Sequence, residues 1–199
     1  MTPETGMSPV DSNNKPARIV AVFGAAFLEK DDPAYRTALV LGADIARLGW
    51  AVASGGYGGT MAAVSRGAFE AGGHTIGVTC ETLSDAGRVT NAWIREEIRC
   101  ETIHERLITL VRLADAAVAL DGGIGTLAEI AFGAVEIQTG ELSPRPLVLM
   151  GEVWEATFQA FFRSASPYVR KADQSILQFV TSPEAAVNIL AEHFDRPTG

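Results

Sequence analysis

Short apolar runs alternate along this chain with longer stretches whose apolar positions recur every three or four residues. RIVAVFG (18–24), WAVASGG (50–56), HTIGVTC (74–80), DAAVAL (115–120), RPLVLM (145–150) and ILQFVT (176–181) have the length and β-branching of buried strands. Between them, residues 33–48, 60–71, 101–113, 124–138, 154–163 and 182–194 carry helical spacing. Gly49 and the pair Gly72-Gly73 supply stop signals, and Ser182-Pro183-Glu184 supplies a start signal. Residues 81–95 are turn-rich, and 88–100 reads as a lid or an edge of a site. Regular alternation of strand and helix predicts parallel pairing, with strands covered on both faces. The expected fold is α/β: a single doubly wound Rossmann-like domain over 17–199 with a central parallel sheet.

Residues 1–16, MTPETGMSPVDSNNKP, break the pattern. They are polar, without a basic start or an apolar core, so they read as a flexible tail rather than a signal peptide. No apolar run approaches the ~20 residues of a membrane span, so the expectation is a cytoplasmic protein without a membrane partner.

The chain of 199 residues is 47% hydrophobic and 20% charged, enough to bury a proper core. A net charge of −8 argues against nucleic-acid binding, which calls for a basic face. It leaves room for a small anionic ligand held by local N–H groups. Cys80 and Cys100 form no CxxC and are expected as buried free thiols; His74, His104 and His193 show no zinc spacing.

Three glycine clusters fall at the carboxyl ends of predicted strands, where open α/β sheets bind ligands. They are Gly24, SGGYGGT (54–60) and DGGIGT (121–126). The last two sit at strand-to-helix junctions, where free backbone N–H groups and the helix dipole favour an anion. Gly55, Gly56, Gly58, Gly122, Gly123 and Gly125 are therefore candidate phosphate contacts, and Thr126 can add a hydroxyl. Tyr57 either stacks on a base or packs. The spacing is not GxGxxG and no Walker lysine follows, which weakens a dehydrogenase or P-loop reading.

Glu129 lies three residues after Thr126, on nearly the same helical face. It is either a group beside a bound sugar or a helix glutamate capping with Thr126. Arg106 lies on the helix leading into the strand that carries the glycine loop, where an arginine can grip phosphate bidentately. Arg112 competes with it, and a solvated face is the plain alternative for Arg106. In 88–100, Arg88, Asn91 and Arg99 are possible ligand contacts. Trp93 suits an interface and Trp154 the core.

DGGIGTLAE (121–129) resembles the PGGxGTxxE signature of the LOG ("lonely guy") phosphoribohydrolases, often misnamed lysine decarboxylases. IHER (103–106) falls where that family has MxxRK, and SGGYGGTMAAVSRGAFEAGGHTIGV resembles its GGGxxGLMG segment. The resemblance implies cleavage of the N-glycosidic bond of nucleoside 5′-monophosphates, cytokinin nucleotides or AMP among them, to base and ribose 5-phosphate. It implies Arg106 and Glu129 as catalytic residues, and Gly122, Gly123, Gly125 and Thr126 as the phosphate loop. It further implies a homodimer and no metal or organic cofactor. A decarboxylase would need a lysine for pyridoxal phosphate, and Lys30 and Lys171 follow no phosphate loop.

The chain departs from the family's pattern in four places. Asp121 replaces the signature proline, where a carboxylate would repel phosphate or bind a ribose hydroxyl. Leu107 replaces a lysine, Ala25 or Ala26 a serine, and Glu136 a tryptophan. A non-hydrolytic carrier or sensor of nucleotide or molybdenum cofactor is the alternative within this fold, and DNA processing the more distant one.

Overall fold

The computed structural model describes residue 16 and residues 18–195; the tail expected over 1–16 lies, apart from Pro16, outside them. Seven strands form one sheet: β1 (Ile19–Phe23), β2 (Ala51–Ser54), β3 (Thr75–Cys80), β4 (Glu96–Cys100), β5 (Ala116–Ala119), β6 (Leu147–Met150) and β7 (Leu177–Val180). Among the described residues eight helices connect and flank them: α1 (Pro33–Arg47), α2 (Thr60–Glu70), α3 (Glu81–Asp85), α4 (Ile103–Leu113), α5 (Ile124–Thr139), α6 (Glu152–Ser164), α7 (Lys171–Gln174) and α8 (Pro183–Phe194). The strand order is β4-β3-β2-β1-β5-β6-β7, and every pair is parallel.

Alternate residues of each strand feed two cores. Val20 and Val22 of β1 join α1, α2 and α8 on one face; Ala21 and Phe23 join α4, α5 and α6 on the other. Burial on both faces explains why the central strands are apolar throughout. Helices α1 and α2 touch backbone to backbone: a Cβ on Gly42 would lie 2.1 Å from the Val64 carbonyl, and one on Gly67 1.9 Å from that of Leu39.

One strand differs from the sequence expectation. β4 lies within 88–100, at the edge of the sheet. Glu96, Glu97 and Arg99 are exposed on it, so no apolar run marks it. Charge on an edge strand discourages pairing with other chains. The short helices α3 and α7 also fall in stretches without helical periodicity.

The sheet sets the site through its reversal point. The chain steps outward from β1 to β4, then returns to place β5 on the other side of β1. The loops leaving β1 and β5 therefore diverge and open a crevice between them.

Candidate active site

The wall of the crevice is the turn from β5 into α5. The Ala25 amide donates to the Asp121 carbonyl at 3.0 Å, and the Thr60 amide to the Ala25 carbonyl at 2.9 Å, tying the loops of three strands together. A Cβ on Gly122 would lie 2.3 Å from the Thr126 hydroxyl oxygen, so only glycine lets this loop close on its helix. α5 starts at Gly123 with no side-chain cap, which leaves its first-turn amides without an intrahelical or side-chain acceptor. Nothing lies within 4 Å of where side chains would begin at Gly123 and Gly125, so an anion can reach that backbone.

The floor is Arg106. Thr102 caps α4 by accepting the Glu105 amide at 3.2 Å, and the Glu105 carboxylate accepts the Glu101 amide at 2.9 Å. This reciprocal start, one residue displaced from a capping box, fixes the helix one residue before Arg106. The guanidinium is buried. Its Nε donates to the Val78 carbonyl at 2.8 Å and its Nη2 to the Gly55 carbonyl at 3.2 Å, so β3 and the loop after β2 hold it from behind. Nη1 points at Glu129, 3.9 Å from Oε1. That separation exceeds a hydrogen bond, so Nη1 keeps donors for a third group.

The Glu129 side chain is only 12% exposed. Burial pushes its carboxyl up to about 7 from 4.5, against the opposing pull of Arg106. Both residues line a cleft of about 410 Å³ with Gly24–Phe27, Tyr57, Met61, Leu83, Arg88, Ile103 and Gly123–Thr126. A larger hollow of about 830 Å³ lies at the amino ends of the strands, away from this pair. Its Asp115 accepts the Ile19 amide and ties down the start of β1. Ligands of open parallel sheets bind at the opposite, carboxyl end, where the smaller cleft lies. Among the described residues no cluster of three or more His, Cys, Asp or Glu offers a metal site.

The structure thus brings Arg106, Glu129, Gly123, Gly125, Thr126 and Tyr57 to one cleft. It gives the second glycine cluster different work. The Gly55 carbonyl holds Arg106; the Gly56 carbonyl accepts from Asn91, through its amide at 2.8 Å and its Nδ2 at 3.0 Å. The Gly56 amide donates to the Ser54 hydroxyl. Gly58 packs near the Ala26 carbonyl, at the base of the β1 loop. Tyr57 is buried, its hydroxyl donating to the Cys80 carbonyl and accepting the Cys80 amide, with the Arg106 guanidinium 5.7 Å from its ring centre.

Arg99 stands exposed on β4, outside the cleft. The Asp121 carboxylate lies against Gly151, at the start of α6. Burial, and secondarily Glu152, raise its pKa. Asn91 is a brace for the loop after β2, and Arg88 lines the cleft.

Arg112 is accounted for: its Nε and Nη2 donate to the two oxygens of buried Glu136 at 2.6 and 3.2 Å. Leu107 packs into the apolar layer beneath the sheet. Cys80 and Cys100 are free and buried, and Trp154 is core, its indole N–H donating to the Leu120 carbonyl at 2.9 Å. Phe27, Met61, Leu83 and Ile103 line the cleft without any sequence signal that marked them.

The chain belongs to the SLOG cluster4 family, whose model matches residues 17–171. An uncharacterized protein of Archaeoglobus fulgidus is 32% identical over 133 residues, covering 66% of this chain and 83% of that protein. The cytokinin riboside 5′-monophosphate phosphoribohydrolase LOG5 of Arabidopsis thaliana is 40% identical over 79 residues, 40% of this chain and only 34% of its own length. Among solved structures, the molybdenum cofactor carrier protein of Chlamydomonas reinhardtii superposes with a TM-score of 0.70 at 25% identity, covering 90% of this chain and 99% of that one. No described helix is long and apolar enough to cross a membrane.

Proposed function

We propose that this protein is a nucleoside 5′-monophosphate phosphoribohydrolase: water adds at C1′, the C1′–N bond breaks, and free base and ribose 5-phosphate leave. The observation that carries the reading is the near-contact of Arg106 and Glu129 at 3.9 Å in a cleft whose wall is the uncapped start of α5. The 5′-phosphate sits on the first-turn amides of α5, with the dipole behind them. Glu129, one turn further along, then lies beside the sugar. Cleavage develops positive charge at C1′, and a partly buried carboxylate stabilises it and steers water. Arg106 adds its free Nη1 donors to hold the sugar-phosphate in place. The resemblance to the LOG phosphoribohydrolases supports this chemistry.

The protein acts as a homodimer. The support is α5, whose exposed residues Ile124, Ala128, Ala131 and Val135 form an apolar stripe beside the cleft. A helix apolar on its outer face wants cover.

A second reading, carriage of a phosphate-bearing cofactor without cleavage, draws on the likeness to the Chlamydomonas carrier. Such a carrier would use the α5 amides but has no need for a carboxylate with a raised pKa beside Arg106. Incubation with a panel of nucleoside monophosphates separates the two. Release of base supports the hydrolase; protection against heat without release supports the carrier.

A further inference from the structure

Phe27 is 79% exposed, an unusual state for a phenylalanine at the edge of a cleft. Its ring carries the Arg88 guanidinium 4.4 Å from its centre, and both residues line the cleft. Among the described residues this ring is the one contact of the Arg88 guanidinium, which has no carboxylate partner. Both supports are fixed. The loop bearing Phe27 is latched by Ala25 to Asp121 and pressed on Gly59, where a Cβ would lie 2.6 Å from Ala26. The segment bearing Arg88 is stapled through Asn91 to Gly56 and Tyr57.

The strand order sets the direction of a bound ligand. The phosphate-seeking amides follow β5; Phe27 follows the neighbouring strand β1, and Leu83 and Arg88 follow β3, three strands away, with the Arg88 guanidinium reaching back over the Phe27 ring. The cleft therefore runs from the α5 amides across the β1 loop toward β3, one to three inter-strand spacings or roughly 5–14 Å, a span that accommodates a nucleoside monophosphate. Arg106 and Glu129 line the same cleft. Leu83, Met61, Ile103 and the ring of Tyr57 line the same cleft, apolar and aromatic surface that suits a flat base better than a sugar.

We infer that Phe27 and Arg88 form a clasp that holds the base of the nucleotide, the ring by stacking and the guanidinium by donating from its edge to base acceptors. This rests on the phosphoribohydrolase reading, because that reading places the phosphate. The clasp gives the site its grip on the leaving base, while α5 gives the grip on ribose 5-phosphate.

The test is calorimetric titration of AMP and of ribose 5-phosphate into a Glu129→Gln protein, in which AMP survives, and into the same protein carrying Phe27→Ala or Arg88→Ala. Both side chains are at the surface, so the variants keep the fold, checked by circular dichroism. The clasp predicts that AMP binding weakens about tenfold or more in each variant, while ribose 5-phosphate binding is unchanged. Equal weakening of both ligands overturns it. So does unchanged binding of both, including the case where only the sedimentation coefficient falls and the patch proves to be a subunit interface. If the parent protein binds neither ligand, the phosphoribohydrolase reading fails and takes the clasp with it.

Discussion

Arg106 is seated on Gly55: its Nη2 donates to the Gly55 carbonyl at 3.2 Å, and a Cβ at Gly55 would lie 1.7 Å from that nitrogen. The glycine loop after β2 is therefore a socket for an arginine. Gly55→Ala should push the guanidinium out of place while the sheet survives, because the clash falls on the end of a flexible side chain. A displacement of this size costs about 100-fold in rate when the group positions substrate. Steady-state kinetics on AMP, beside a melting curve, checks this: kcat/KM should collapse with the transition still cooperative.

Glu129 should impose a pH profile. If its ionised form stabilises C1′, kcat/KM rises with pH and levels above about 7, where burial has moved this carboxyl. Glu129→Gln should release no base at any pH across this range. A wild-type profile already level from pH 5 would show that a different group does the work.

The same shift has a cost in stability. A carboxyl whose native pKa is raised prefers to be neutral when folded, so its favourable contribution is complete below the unfolded value of 4.5 and lost as pH rises through about 7. That interval corresponds to about 3 kcal/mol. Wild type should therefore lose stability relative to Glu129→Gln between pH 5 and pH 8, read from paired urea titrations. Parallel curves would contradict the buried state of the group.

Arg112 and Arg106 lie on one helix yet predict opposite phenotypes. Arg112→Ala leaves buried Glu136 without its bidentate partner. It should lower the melting temperature with little change in kcat/KM. Arg106→Ala should remove base release.

Placing lysine at Val135, half-exposed in the apolar stripe of α5, should separate the subunits. Sedimentation velocity would show a monomer where wild type sediments as a dimer.

Much of this was legible in the residues, and the exceptions have physical causes. The parallel α/β fold follows from apolar runs that a doubly covered sheet requires. β4 escaped because an edge strand carries charge where inner strands carry valine. The pairing of Arg106 with Glu129 rested on family resemblance; periodicity left Arg112 as a rival until Glu136 was seen to occupy it. In SGGYGGT the residues alone do not separate two uses of glycine, admitting a ligand and admitting another side chain; at Gly55 the structure shows the second, for Arg106. That the Asp121 carboxylate rests against Gly151 depends on the loop after β6, which the spacing of DGGIGT does not reveal. Phe27 and Arg88 lie far apart in sequence, and only the strand order brings them together.

The most direct test of the central claim is AMP incubated with the protein in ¹⁸O-labelled water, with products read by mass spectrometry. Hydrolysis at C1′ predicts adenine and ribose 5-phosphate with one ¹⁸O at C1′, and neither product with Glu129→Gln. Intact AMP, or release of inorganic phosphate in place of adenine, would contradict it.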